Sequence, residues 1–405
     1  MWQNHREIKV VILFFILIPI LSGCWDSKEI EKRANVLAIG IDKASEEERK
    51  MEEDVSHLGK KFPIPDEEMI KVTAQIAVPG RIPLGPQQPG GAVKPVLVVK
   101  VIGHTFQDAM LNLQQELADE VFLGHLRIIV ISEEIARKGT SRFNDLLRRN
   151  PEIRRTASLV VSKETASKYM DLTPELERIP SLYLADIVDN LTAIGKFPPS
   201  FIGLFWTIYS SKGQDTYLPY LALKGKKTIQ LNGLAYFHGD KMVGKTSPLE
   251  IGVFMAVRGI GRGGYGAFVE VPGEDESVLV RAVSRKTRTK VKLKNGIPHV
   301  SIRIQYESEI DEKESAKILL SDSDMLKKIE KESSKNTKKS IEKLIAKTQK
   351  LNSDIFGFGE HFRAKLPQYW NKNVKTKEKW SEIYKTITFD VKVDSHIHRV
   401  GMKSK

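Results

Sequence analysis

An uncharged, greasy run over residues 10–20 opens the chain, and everything after it is short apolar segments spaced by polar ones. Eleven residues are too few to cross ~30 Å of hydrocarbon, which takes about 20 in a helix. Residues 36–41 are continuously apolar and stop at Asp42, the pattern of a strand buried on both faces. Ile70, Val72, Ala74, Ile76 and Val78 alternate with their neighbours and predict a strand over 69–78; a further strand is predicted over 96–102. Thr105 and Asp108 have the spacing of a helix start, and Phe106, Met110, Leu113 and Leu117 then share one face. Residues 126–132 and 157–161 read as buried strands, with a helix between them that carries Phe143, Leu146 and Leu147 and stops before Pro151. Helices over 179–194 and 201–210 close this half. Strands alternating with helices predict an α/β domain with a mixed, partly parallel sheet.

The second half has a different pattern. A strand is expected over 231–237. Val300, Ile302, Ile304 and Tyr306 alternate strictly, as do Ile387, Phe389, Val391 and Val393. Asn295-Gly296 just before the first of these rows is a strong hairpin signal. One long helix is expected over 324–350, with Leu326, Ile329, Ile341, Leu344 and Ile345 as a sparse apolar stripe. Long antiparallel strands around one long helix predict an α+β domain, so the whole chain is α+β (mixed α/β). The polar, glycine-rich stretch 211–225 marks the boundary, giving domains over 24–215 and 225–405, the first of which could be two compact units. A short helix is expected over 27–33. Two loops are expected as well, a charged one over 45–68 and a proline-rich one over 79–95.

The single cysteine, Cys24, changes the picture most. It follows the greasy run and Leu21-Ser22-Gly23, and Arg6 and Lys9 precede that run. A positive start, an apolar stretch of roughly 7–15 residues and small residues at a cut site make a secretory signal. Leu-Ser-Gly-Cys looks like a bacterial lipobox, with cleavage after Gly23 and a diacylglyceryl group joined by thioether to Cys24. Two acyl chains anchor stably where one does not. With one cysteine no disulfide forms within the chain, so burial must stabilise it. At 41% hydrophobic and 28% charged residues, the rest reads as globular and water-soluble rather than membrane-spanning.

The net charge of +13 is carried partly by clusters: Arg148-Arg149 with Arg154-Arg155, Lys224 with Lys226 and Lys227, and seven cations without an acid over 281–294. For an exported, tethered protein the nearest polyanion is an anionic membrane surface, not nucleic acid. A solvated face kept soluble by charge is the other reading.

Three formal motif matches need weighing. Gly239 to Thr246 fits G-x-x-x-x-G-K-[ST], in which Lys245 and Thr246 would serve phosphate and magnesium. However, Lys241-Met242-Val243 reads as the return strand of a hairpin turning at Gly239-Asp240. Ser247, Pro248 and Glu250 then start an ordinary capped helix. Gly259, Gly261 and Gly264 fit G-x-G-x-x-G but lead into a strand over 265–271, whereas the motif requires a helix. His396 and His398 share one strand face, but no acid cluster beyond Asp394 completes a metal set. No catalytic constellation, cofactor site or metal site is expected. Trp206, Trp370, Trp380, Phe356 and Phe358 are read as core or interface anchors.

Several segments together resemble the Ger(x)C family, the C-subunit lipoproteins of spore germinant receptors. They are Gly23-Cys24-Trp25-Asp26 with Glu29-Ile30, then 39–43, 72–76 with Pro79, Gly124-His125-Leu126-Arg127, 132–134 and 149–154. In the second half they are 232–237 with 240–244, Asp354-Ile355-Phe356-Gly357-Phe358-Gly359, Trp370, Trp380 and Val400-Gly401. The resemblance spans nearly the whole mature chain in family order. It also accounts for the phosphate-loop match, since the family's Asp-Lys-x-Val-Gly strand is followed here by Lys245-Thr246. The loops 45–68 and 79–95 are longer than usual for the family. The resemblance implies a non-enzymatic lipoprotein on the outer face of the spore inner membrane, in complex with the A and B membrane subunits of the receptor. It leaves small-molecule binding open. The alternative is a substrate-binding lipoprotein of an importer, which requires two similar lobes and a hinge.

Overall fold

The computed structural model describes residues 32–50, 68–79, 94–172, 179–225, 228–261, 263–314 and 322–399, which form two sheets with helices around and between them. In chain order the first sheet and its helices are β1 (Arg33–Lys43), α1 (Glu46–Arg49), β2 (Ile70–Ala77), β3 (Val96–Gly103), α2 (Phe106–Gln115), β4 (Glu120–Phe122), β5 (Ile128–Ser132), α3 (Glu133–Lys138) and α4 (Ser141–Arg149). They continue as β6 (Ser158–Ser162), α5 (Ala166–Met170), α6 (Pro180–Ala193), α7 (Ile202–Tyr209), β7 (Tyr217–Lys224), β8 (Thr228–His238) and β9 (Lys241–Lys245). The strand order is β3-β2-β1-β5-β6-β7-β8-β9, with β4 paired to β1. The central pairs β1/β5, β5/β6 and β6/β7 are parallel and the flanking pairs antiparallel, which is the mixed sheet expected.

The apolar runs explain the middle of this sheet. Every residue of β5 and β6 is buried, because helices cover both faces. Ile129, Ile131, Leu159 and Val161 pack toward α2, α4 and α7, while Ile128, Val130 and Val160 pack toward α5 and α6. The polar stretch 211–225 holds β7, and the first sheet continues past it to residue 245. Pro219 hides this strand in the sequence. It is tolerated because β7 meets β6 only at Tyr220 and Leu221.

The remainder is α8 (Pro248–Val257), β10 (Gly266–Glu270), β11 (Ser277–Lys294), β12 (Ile297–Lys313), α9 (Ser323–Lys350), α10 (Phe358–Lys365), α11 (Lys377–Tyr384) and β13 (Thr388–Arg399), with a π-helical turn at Trp370–Val374. The hairpin turn is where Asn295-Gly296 places it, with φ of 52° and 78°, the left-handed pair that such a turn needs. β10, β11 and β12 are antiparallel. β13, expected to be antiparallel too, joins parallel to β12. Parallel pairing requires a crossover, and α9 to α11 supply it. α9 also closes the sheet's outer edge: Ser334 Oγ accepts the Ser395 N–H at 2.9 Å and Glu330 Oε1 accepts that of Ile397 at 2.8 Å. A second core lies between the sheets. Tyr217, Leu234 and Tyr236 of the first meet Val300, Ile302 and Ile304 of the second, through α8 and the stripe Ile341, Leu344 and Ile345.

Apart from Lys32 and Arg33, the second of which starts β1, the helix expected over 27–33 lies outside the described residues. So does most of the two loops; of the charged one, α1 is a single turn capped by Ser45 and Glu48.

Candidate functional site

Residues 239–246 are the turn and return strand of a hairpin. Met242 pairs with Phe237 and Gly244 with Tyr236. Thr246 is buried, its Oγ1 accepting the Leu234 N–H at 2.9 Å, while Lys245 Nζ sits 4.3 Å over the Tyr220 ring. Both side chains are thus used in the sheet, and the helix after them is capped by Ser247 and Glu250. No phosphate cradle exists here. Asp240 at the turn instead reaches α4, accepting the Ser141 hydroxyl at 2.7 Å. Gly263 and Gly264 lead into strand β10, as expected. His396 contacts Glu330 and His398 contacts Glu307; among the described residues no three His, Cys, Asp or Glu side chains form a metal-holding group.

The most organised polar cluster is one the residue types alone did not single out. Asp354 is wholly buried and its carboxylate accepts four donors. Gly357 N–H (2.9 Å) and Phe358 N–H (3.2 Å) reach Oδ1; Gly359 N–H (2.9 Å) and the Trp380 indole N–H (2.9 Å) reach Oδ2. The glycines of Asp354-Ile355-Phe356-Gly357-Phe358-Gly359 have separate jobs. Gly357 takes a left-handed φ of 75° that turns the backbone around the carboxylate. A Cβ on Gly359 would stand 2.5 Å from Trp380 Nε1 and 2.6 Å from the Gly213 Cα. Burial pushes the Asp354 carboxyl up to about 7 against the pull of these donors, and the Asp215 carboxylate beside it adds to the rise.

Asp215, just before β7, is bound reciprocally. Its N–H donates to Asp354 O at 2.9 Å, its Oδ2 accepts the Asp354 N–H at 3.0 Å, and Lys377 Nζ lies 3.5 Å from its Oδ1. Burial raises its carboxyl too, with Lys377 opposing. The pair therefore rivets the first sheet to the helices that cover the second. Every oxygen of Asp354 is occupied by the protein's own donors, so the cluster is a clamp and not a reactive centre. Trp370, Trp380, Phe356 and Phe358 are all buried around it, with Trp370 and Trp380 rings 5.7 Å apart. Trp206 is buried elsewhere, donating its indole N–H to Asn144 Oδ1 at 2.8 Å.

A second pair of segments meets at the N-terminal ends of β5 and β6. Asn150 Oδ1 accepts the Glu152 N–H at 2.9 Å, and this turn aims the Glu152 carboxylate at the Leu123 N–H, 2.8 Å away. Residues 149–154 thereby hold Gly124-His125-Leu126-Arg127 in place. Arg127 and Arg154 line a cleft of about 460 Å³, and Arg127 stands 3.8 Å from both Asp186 and Asp189. Of the basic clusters, 281–294 is strand β11, whereas Lys226 and Lys227 lie outside the described residues, as do Gly23 and Cys24. Among the described residues no helix is long and apolar enough to cross a membrane.

Comparison with known proteins accounts for these shared segments. Residues 26–223 match the spore germination protein N-terminal domain, and residues 232–401 match the spore germination B3/GerAC-like C-terminal domain. The chain is 26% identical to spore germination protein KC of Bacillus subtilis (strain 168), over 98% of this chain and 97% of that one. It is also 26% identical to the putative spore germination protein YfkR of the same organism, over 95% of each. Its fold is similar to the crystal structure of the GerBC protein, with a TM-score of 0.54 and 18% identity over 83% of this chain and 95% of that one.

Proposed function

Because the chain belongs to the Ger(x)C family of spore germination proteins, we propose that it is the lipid-anchored C subunit of a nutrient germinant receptor. In this reading Cys24 carries a diacylglyceryl group that holds the folded body on the outer face of the spore inner membrane, beside the A and B membrane subunits. The observation that carries it is one of sequence order. Leu21-Ser22-Gly23-Cys24 ends the only long apolar run, and the family match begins two residues later, at residue 26. Each buried methylene of the acyl chains contributes ~0.8 kcal/mol, so two chains keep the body at the surface.

The subunit acts without chemistry of its own. Its best-ordered acidic pair is saturated by backbone and indole donors, which favours a rigid body that positions neighbours over an enzyme. The two unlike sheets do not favour the paired lobes of an importer's binding protein. The test is Cys24→Ala in the native host. We expect the protein to leave the membrane fraction and nutrient-triggered germination to fall; unchanged partition of the variant would refute the anchor.

A further inference from the structure

The outer face of the second sheet carries a charge pattern that the fold itself does not need. Along β11, Lys286, Arg288, Lys290, Lys292 and Lys294 alternate with residues turned toward the helices, and all five are exposed. Their cross-strand neighbours on β12 share that face: Gln305, Arg303, Ser301, His299 and Ile297 in turn. β13 adds Lys392 opposite Arg303, with Asp390 and Asp394 as the acids of the face. Arg288, Arg303 and Lys392 therefore form a row of three cations across three strands. Lys392 is offset by Asp394 at 3.6 Å, whereas Arg288 and Arg303 are directly opposed like charges, which destabilise a sheet.

The upper part of the same strand shows what a neutralised cation looks like. Arg281 contacts Asp311 at 2.6 and 3.1 Å and Glu309 at 2.9 Å. Lys286, Arg288, Lys290, Lys292, Lys294 and Arg303 have no such partner among the described residues. Their field is felt locally: burial holds the His299 imidazole below its usual range, and Lys292 and Lys294 push it the same way. Charged residues do guard open strand edges. That role would account for β11 but not for Arg303 on β12, which is paired on both sides.

We propose that this face docks on an anionic lipid bilayer, with the β11–β12 turn leading. Three features favour lipid over an acidic protein. Five of the seven cations are lysines, which are depleted in protein interfaces and suit diffuse, hydrated headgroups as flexible point charges. The β11 cations form a line of about 26 Å at strand spacing, which spans many headgroups and matches no single carboxylate. Finally, the turn presents apolar side chains: Ile297 on the basic face is 47% exposed, and Leu293, facing the other way, is 41% exposed. The anchor at Cys24 tethers the body without orienting it, whereas this face would lay the second sheet against the surface.

The inference deepens the anchored reading but is tested apart from it. The chain from Trp25 onward, which contains every described element and no lipid site, is sedimented with vesicles of phosphatidylcholine with or without 30% phosphatidylglycerol. We expect binding only to the anionic vesicles, weakening between 0.1 and 0.5 M salt. The triple change Lys290→Glu, Lys292→Glu, Lys294→Glu should weaken it by roughly a hundredfold at an unchanged melting temperature. The same charge change at Lys163, Lys168 and Arg148 should move it only a few-fold. Ile297→Ser should reduce binding without altering the salt dependence. Equal binding to neutral vesicles, or equal losses from the two triple variants, overturns the proposal, as does no binding at all. None of these outcomes bears on whether Cys24 is lipidated.

Discussion

Replacing Asp354 by alanine tests whether the clamp holds the two sheets together. The change removes the acceptor of four donors in a fully buried site: three backbone N–H groups and the Trp380 indole. A buried donor left unpaired costs about 1–3 kcal/mol. The Gly357 N–H keeps the Asp354 main-chain carbonyl at 3.3 Å, so three donors are stranded and, even at the low end, lower stability by about 3 kcal/mol. Asp354→Asn keeps one oxygen, so two donors face an amide N–H₂ and the loss should be about half as large. Urea denaturation followed by tryptophan fluorescence reads both values, since Trp380 is itself a partner. The wild type should also respond to pH. Burial raises its folded carboxyl to about 7, above the ordinary 3.8, so the folded state binds the extra proton between those values. Stability from this group is therefore full at acid pH and falls as pH rises through about 7. Asp354→Asn cannot titrate and should flatten that slope. An Asp354→Ala variant within 1 kcal/mol of wild type would refute the clamp.

Other expectations follow from single contacts. Asn144→Ala strands the buried Trp206 indole N–H and should cost about 1–3 kcal/mol in urea denaturation; a silent substitution would mean the indole has another partner. ATP with magnesium should leave the melting temperature unchanged, and Lys245→Ala should cost about 0.5–1 kcal/mol through the lost contact with Tyr220. A melting rise with ATP that disappears in Lys245→Ala would restore the phosphate-loop reading. Gly244→Ala places a methyl 2.4 Å from the Tyr236 ring in the β8–β9 hairpin and should destabilise measurably; unchanged melting would show that Tyr236 can move aside.

Periodic segments were legible because one interaction dominates each. β2 alternates because one face carries Ile70, Val72, Ala74 and Ile76 while the other, also buried, carries the polar Thr73 and Gln75. α9 shows its stripe because only Ile329, Ile341, Leu344, Ile345 and Thr348 are buried along its length. β7 was hidden by Pro219. The first part of β11 was hidden because bulges between 279 and 280 and between 282 and 284 break its period, and the rest because its inward positions include Thr287 and Thr289 in place of apolar residues. It also carries a cation turned inward: Arg285 is buried, donating to Ile260 O at 2.6 Å and Gly252 O at 3.1 Å. The helices around Trp370 and Trp380 carry aromatic residues packed among other aromatic residues, so no single-face pattern marks them. Asp354 was visible only within a segment shared with the family. Asp215 had no local signal, because its partner lies 139 residues away.

The parallel pairing of β13 has a bearing on biosynthesis. This strand is the last described element of the chain, yet Val391 and Val393 complete a core that also holds Val300, Ile302 and Ile304. The second sheet can close only once residues 388–399 are available to pair with β12, long after the first sheet is able to form. A nascent or clipped chain ending before residue 388 would leave that aliphatic row and the underside of α9 bare to water. β13 is thus a folding checkpoint, and copies truncated before it should be cleared by proteases.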